Sequence, residues 1–165
     1  MTVKLWKFAY LSVIITMVSG FFAVNGFNAS QALAADSKKP DSHSVKAADT
    51  LEIVGKLIEI PGKFPPNDLY NYVYITKYKV VKVIKGAYTG QEILVGHYNP
   101  LFPRNGIKDK MAPLVHGTVD KIEVNARHRL VLIAPISSVW TDAVEDEYSD
   151  SDMVKYFALR TDISK

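Results

Sequence analysis

Residues Tyr72–Lys85, YVYITKYKVVKVIK, decide the fold. Tyr74, Thr76, Tyr78 and Val80 alternate with Ile75, Lys77 and Lys79. A pleated strand sends alternate side chains to opposite faces, so this pattern predicts a strand with the tyrosines inward and the lysines outward. After Val80 the phase slips: Val80 and Val83 are three apart, with Lys82 and Lys85 polar. One extra residue near Val81-Lys82 restores a single apolar face, and a β-bulge is expected there.

The flanks extend a β pattern. Gly86–Gly90 (GAYTG) reads as a turn, and Gln91–Tyr98 returns as a shorter strand with Ile93 and Val95 on one side and Leu94 and Tyr98 on the other. Upstream, Leu51–Ile60 is rich in aliphatic residues, and Gly55 in its middle predicts a bend or bulge. Pro61–Asn71 (PGKFPPNDLYN) holds three prolines and must be a loop, because proline cannot donate to a ladder. Downstream, Asn99–Gly117 is a long proline-interrupted excursion with at most one helical turn. Thr118–Val124 and Arg127–Ile133 both look β-like, joined by a tight turn at Asn125-Ala126. Leu130–Ala134 is apolar throughout, as in a central strand. Asp142–Asp152 has six acidic and no basic residues, and Met153–Ile163 reads as a closing strand or a short helix.

Five or six bent strands, one bulged, with a long excursion after the third, describe an all-β fold: a small five- to six-stranded Greek-key (OB-like) barrel over residues 51–165. Residues Tyr78, Val80, Val83 and Lys85-Gly86, then Gln91–Val95 and Leu130–Ile133, resemble small exported bacterial domains built on such a barrel. Those are similar in fold to the netrin-like domains typified by tissue inhibitors of metalloproteinases. The resemblance covers about residues 51–134 and implies the fold. The cysteines that underlie protease inhibition in netrin-like domains are missing here.

The amino-terminal part is of another character. Lys4 and Lys7 precede an uncharged run, Phe8–Phe22, and Ala32-Leu33-Ala34 places small residues at the positions a signal peptidase reads. Residues 1–34 are therefore expected to be a secretory signal peptide cut before Ala35. An uncleaved anchor is the alternative, but a spanning helix needs about 20 strongly apolar residues. Residues 35–50, polar and containing His43, read as a flexible linker. The chain has no cysteine, which excludes disulfides, thiol catalysis, thiolate metal sites and lipoprotein acylation. Lys4 and Lys7 are two of the 20 Lys and Arg, so the remaining 18 face 17 Asp and Glu. That balance lacks the basic excess of a nucleic-acid binder, and no nucleic-acid partner is expected.

Five groupings could carry chemistry. His97, His116 and His128 could together bind zinc, but no H-x-H or H-E-x-x-H spacing accompanies them, and strand-end histidines with ordinary hydrogen bonds are the plainer reading. Ser137-Ser138 lacks a nucleophile elbow, and the acidic run at 145–152 lacks the glycine and spacing of a calcium loop. Tyr70, Tyr72, Tyr74 and Tyr78 with Lys77 and Lys79 could offer a stacking face to a polysaccharide, or the tyrosines could fill the barrel. Arg104, Arg127 and Arg129 with His97, Tyr98 and His128 form a second candidate patch. The expected function is an exported, non-catalytic binding or accessory module of the cell envelope, periplasmic or secreted. Its candidate ligand residues are Tyr72, Lys77, Lys79, His97, Tyr98, Arg104, Arg127, His128 and Arg129, its partner is a protein or a polysaccharide, and no cofactor or metal is expected. A histidine-dependent metal hydrolase and an inhibitor of an exported enzyme are the alternatives.

Overall fold

A computed structural model describes residues 50–165. The expected signal peptide and, apart from Thr50, the expected linker lie outside the described residues.

The described chain is all-β. Its strands are β1 (Leu51–Glu59), β2 (Val73–Lys85), β3 (Glu92–Tyr98), β4 (His116–Gly117), β5 (Arg127–Ile133), β6 (Val144–Glu145) and β7 (Lys155–Ile163), in one mixed sheet. β1 pairs antiparallel with both β2 and β5; β2 pairs antiparallel with β3; β3 lies parallel to β7, which is antiparallel to β5. Following the hydrogen bonds from β1 through β2, β3, β7 and β5 thus leads back to β1. The two-residue strands are extras: β6 lies parallel to the start of β2, and β4 parallel to the end of β7.

The expected bulge is present. Gly55 faces Val80, while the next residue back, Val54, faces Lys82, so Val81 is the unpaired extra residue. A second skip leaves out Ile84. Val81 and Ile84 are exposed, whereas Val80 and Val83 both pack against the core. The bulge achieves what the sequence phase required.

Alternate residues of the long strands serve two apolar clusters. Ile53, Leu57, Tyr78, Ile93, Val95 and Leu130 build the first. Val73, Ile75, Leu94, Tyr98 and Phe157 point the other way, into a second cluster completed by Met111, Val115, Ile136 and Trp140 from the connecting segments. β3 is therefore buried on both faces from Ile93 to Tyr98. Each large apolar side chain removed from water contributes roughly 1.5–3 kcal/mol.

Thr118–Val124 is not the strand its composition predicts. The amides of Thr118 and Val119 both point to Thr161 O, so no ladder develops. Val119 and Ile122, three residues apart, both reach the first core, a spacing that a pleated strand cannot satisfy. Gly117, just before, adopts φ +135°, and a Cβ there would lie 2.0 Å from Thr161 O. Only glycine fits that crossing. Arg127–Ile133 is a strand as expected, Asn125 with φ 73° makes the turn, and of the two forms expected for Met153–Ile163 the strand is found, over Lys155–Ile163. The acidic stretch is tied down in part: Asp142 pairs with Lys110 at 2.6 Å, Asp146 with Lys155 at 2.5 Å, and Val144–Glu145 form β6.

Candidate functional site

β2, β3 and β5 each send one polar side chain into the first core region. Tyr78, His97 and His128 meet there, all buried. The Tyr78 hydroxyl lies 3.0 Å from His97 Nε2 and 2.8 Å from His128 Nδ1. Gly55 of β1 sits opposite His128 in one pairing and opposite Val80 in the other, and its missing side chain leaves room for the Tyr78 ring.

The protons in this trio can be assigned by elimination. His97 Nδ1 is buried and without a partner. A buried N–H left unpaired is rarer and costlier than an idle acceptor, so the His97 proton sits on Nε2 and is donated to Tyr78 Oη. Tyr78 has one proton and gives it to His128 Nδ1. The His128 proton is then on Nε2, which has no hydrogen-bond partner among the described residues. Burial holds all three groups neutral. It raises the Tyr78 phenol, and it lowers His97 well below the ordinary histidine value, with the Arg104 charge and His128 adding to the effect. Burial alone lowers His128 to about 4.

Arg104 is the nearby charge. It is buried, and its guanidinium donates to Tyr98 O, Asn99 O and Phe102 O, each at 2.7 Å. Burial brings it down to about 10, against the opposing effect of Tyr78. Arg104 thus binds the start of the excursion rather than facing solvent.

The other expected site residues scatter. Tyr72 is buried, its hydroxyl on Pro65 O at 2.6 Å and its pKa pushed up to about 12 by burial. Tyr74 is buried against the Phe64 ring and bonds Pro61 O; Tyr70 is the exposed ring of that group and bonds Glu145 at 2.5 Å. Lys77 pairs with Glu59 at 3.0 Å and lies over the Tyr148 ring, while Lys79 is exposed on the outer face. Tyr98 is buried against Trp140 and bonds Asp109. Arg129 is exposed and pairs with Glu52 at 2.5 Å. His116 is exposed, with Nε2 3.0 Å from Pro113 O, so the three histidines do not assemble. Among the described residues, no group of three or more His, Asp or Glu side chains is placed to hold a metal ion.

Arg127 and His128 do come together. They border a cleft of about 500 Å³ that Val119, Asp120, Lys121 and Ser164 also line. Asp120, Lys121 and Ser164 went unnoticed in the sequence because Asp120 and Lys121 lie in a segment read as a strand and Ser164 near the end of the chain. A larger cleft of about 640 Å³ beside Trp140, Val144 and Val154 is apolar, with Lys155 at its edge. Polar groups converge at the cleft at Arg127, as they also do at a smaller one of about 380 Å³ lined by Asn67, Asn71, Lys108 and Asp109, and such convergence orients a ligand. No protein-family model, no curated protein and no solved structure matches this chain.

Proposed function

We propose that the chain is an exported OB-like barrel that acts as a non-catalytic binding module of the cell envelope, with the cleft at Arg127 and His128 as its ligand site. The strand circuit supports the barrel: the order β1, β2, β3, β7, β5 and back to β1, with β3 and β7 parallel, is consistent with a five-stranded Greek-key barrel. The observation that carries the binding role is His128 itself, a buried ring held by Tyr78 at the wall of a cleft that Asp120, Lys121 and Arg127 also border. Binding suits it better than proton transfer. A histidine lowered to about 4 is a weak base near neutral pH, where general acid–base catalysis asks for a pKa close to the working pH. The leader at residues 1–34 supports export.

Two measurements test this. The full chain, expressed in a bacterium and recovered from outside the cytoplasm, should begin at Ala35 on amino-terminal sequencing. Retained on immobilised envelope polysaccharide, it should lose about tenfold in affinity on Arg127→Ala, the loss of one charge-assisted contact. Recovery only from the cytoplasm would refute export. Equal retention of the parent and the variant would remove the site.

A further inference from the structure

We infer that the cleft at Arg127 takes a hydroxylated carboxylate, the chemical class of the sugar acids, with the carboxylate on His128 Nε2–H and the Arg127 guanidinium and the hydroxyls toward Asp120 and Ser164. This rests on the cleft being the ligand site and adds what it recognises.

The donor comes first. His128 is 2% exposed, yet it borders the cleft, and its Nε2–H is not satisfied by the protein among the described residues. The hydrogen-bond chain His97 to Tyr78 to His128 fixes that tautomer, so the cleft wall presents an N–H and not a lone pair. A donor at the cleft wall without a protein partner offers itself to an acceptor oxygen of the ligand.

The charges come next. Arg129 and Arg160, on the same strands, are each neutralised by a carboxylate at 2.5 Å. Arg127 accepts from Ser164 N–H at its carbonyl, but the side chains of Arg127, Lys121 and Asp120 form no hydrogen bond or ion pair with the described residues, although all three residues border one cleft. Two cations against one carboxylate favour a single negative charge and disfavour a doubly charged phosphate, which Asp120 would repel. Arg127 and His128 border the same cleft, and a guanidinium and an N–H donor together suit the two oxygens of a carboxylate. Asp120, exposed and without a protein donor on its side chain among the described residues, is an acceptor for ligand hydroxyls, and a bare fatty or acetyl carboxylate offers it no proton. Val119, Ala126 and Ile163 add apolar surface to the lining, suited to the C–H face of a ring, and about 500 Å³ lies in the range of small-molecule sites.

Calorimetric titration of the exported protein with D-glucuronate, D-glucose and acetate separates the parts. Glucuronate should bind about tenfold or more tighter than either of the others, and Arg127→Ala should bring it down to the level of glucose. Nitrogen NMR of the free protein should show His128 as neutral with its proton on Nε2, and the signal should move on adding glucuronate. Glucose binding as well as glucuronate overturns the carboxylate, acetate binding as well overturns the hydroxyls, and a proton on Nδ1 overturns the donor. If glucuronate fails while retention on envelope polysaccharide still depends on Arg127, the sugar-acid assignment falls and the binding site stands. If neither depends on Arg127, both fall.

Discussion

Gly55 lies beneath the ring of Tyr78: a Cβ at position 55 would come within 3.0 Å of Tyr78 Cδ1 and 3.4 Å of its Cβ. The ring cannot swing away freely, because its hydroxyl is held from both sides by His97 and His128. Glycine inside a strand ordinarily costs about 0.5–1 kcal/mol relative to alanine. Overpacking a fixed core costs typically 1–3 kcal/mol. The second effect wins, and Gly55→Ala should lower the unfolding free energy by about 1 kcal/mol. In a Tyr78→Ala background the same substitution should become neutral or stabilising. A urea double-mutant cycle reads the coupling, and additivity of the two changes would show that the ring does not set the requirement for glycine.

Tyr78→Phe keeps the ring and removes the one oxygen that pairs two buried imidazoles. His97 would keep no partner, and His128 would lose its contact at Nδ1. Leaving buried polar atoms unpaired costs about 1–3 kcal/mol each, so a loss of about 2–3 kcal/mol is expected in urea unfolding. A loss below about 0.5 kcal/mol, the range of ordinary surface substitutions, would mean that the trio is not a structural unit.

Tyr78 also marks the boundary of what the sequence discloses. Its inward face follows from the alternation with Lys77 and Lys79, and the bulge at Val81 follows from the spacing of Val80 and Val83. Both are local patterns, carried within one strand. Its partners are not local, since His97 and His128 lie 19 and 50 positions away and meet it only through strand pairing. Histidines and arginines are usually exposed, so composition places His97, His128 and Arg104 on a surface patch; the structure buries all three. Thr118–Val124 departs from the expected strand for a related reason. Its β-branched residues suit a strand, but Val119 and Ile122 enter the core at a spacing of three, and Gly117 sets the chain crossing over Thr161. Of the candidate patch, Arg127 and His128 were legible, while Lys121 and Asp120 depended on where that non-strand segment runs.

Arg104 fastens three carbonyls at the start of the excursion, and no carboxylate shares the task. Arg104→Ala leaves those oxygens to find other donors in a buried place, a cost on the order of 3 kcal/mol. Arg104→Lys keeps the charge, but an ammonium lacks the planar fork that reaches the carbonyls of Tyr98, Asn99 and Phe102 together. Hydrogen exchange should therefore speed up in residues 99–109 of the lysine variant while β1 and β5 stay protected. Unchanged exchange in 99–109 would assign the holding of this segment to other contacts.

Two buried neutral histidines give the fold a pH dependence whose sign is fixed. In the unfolded chain each takes up a proton below its ordinary value of 6.5. In the folded chain His128 stays neutral down to about 4, and His97 is held well below its ordinary value by burial and by the Arg104 charge. Between these limits the unfolded state binds more protons, so stability falls as the pH drops from about 6.5 and is flat above it as far as these groups are concerned. The slope is at most about 1.4 kcal/mol per pH unit for His97, and less for His128, which borders solvent in the cleft. Groups facing the pair are Tyr78, neutral throughout this range, and Arg104, charged throughout it, so neither reverses the slope. Urea midpoints should fall steadily from about pH 7 to about pH 5, and His128→Gln should make the fall shallower by removing one of the two titrating groups. A midpoint that holds level across that range would mean that the histidines can be protonated in place, and the neutral chain from His97 through Tyr78 to the cleft would not exist.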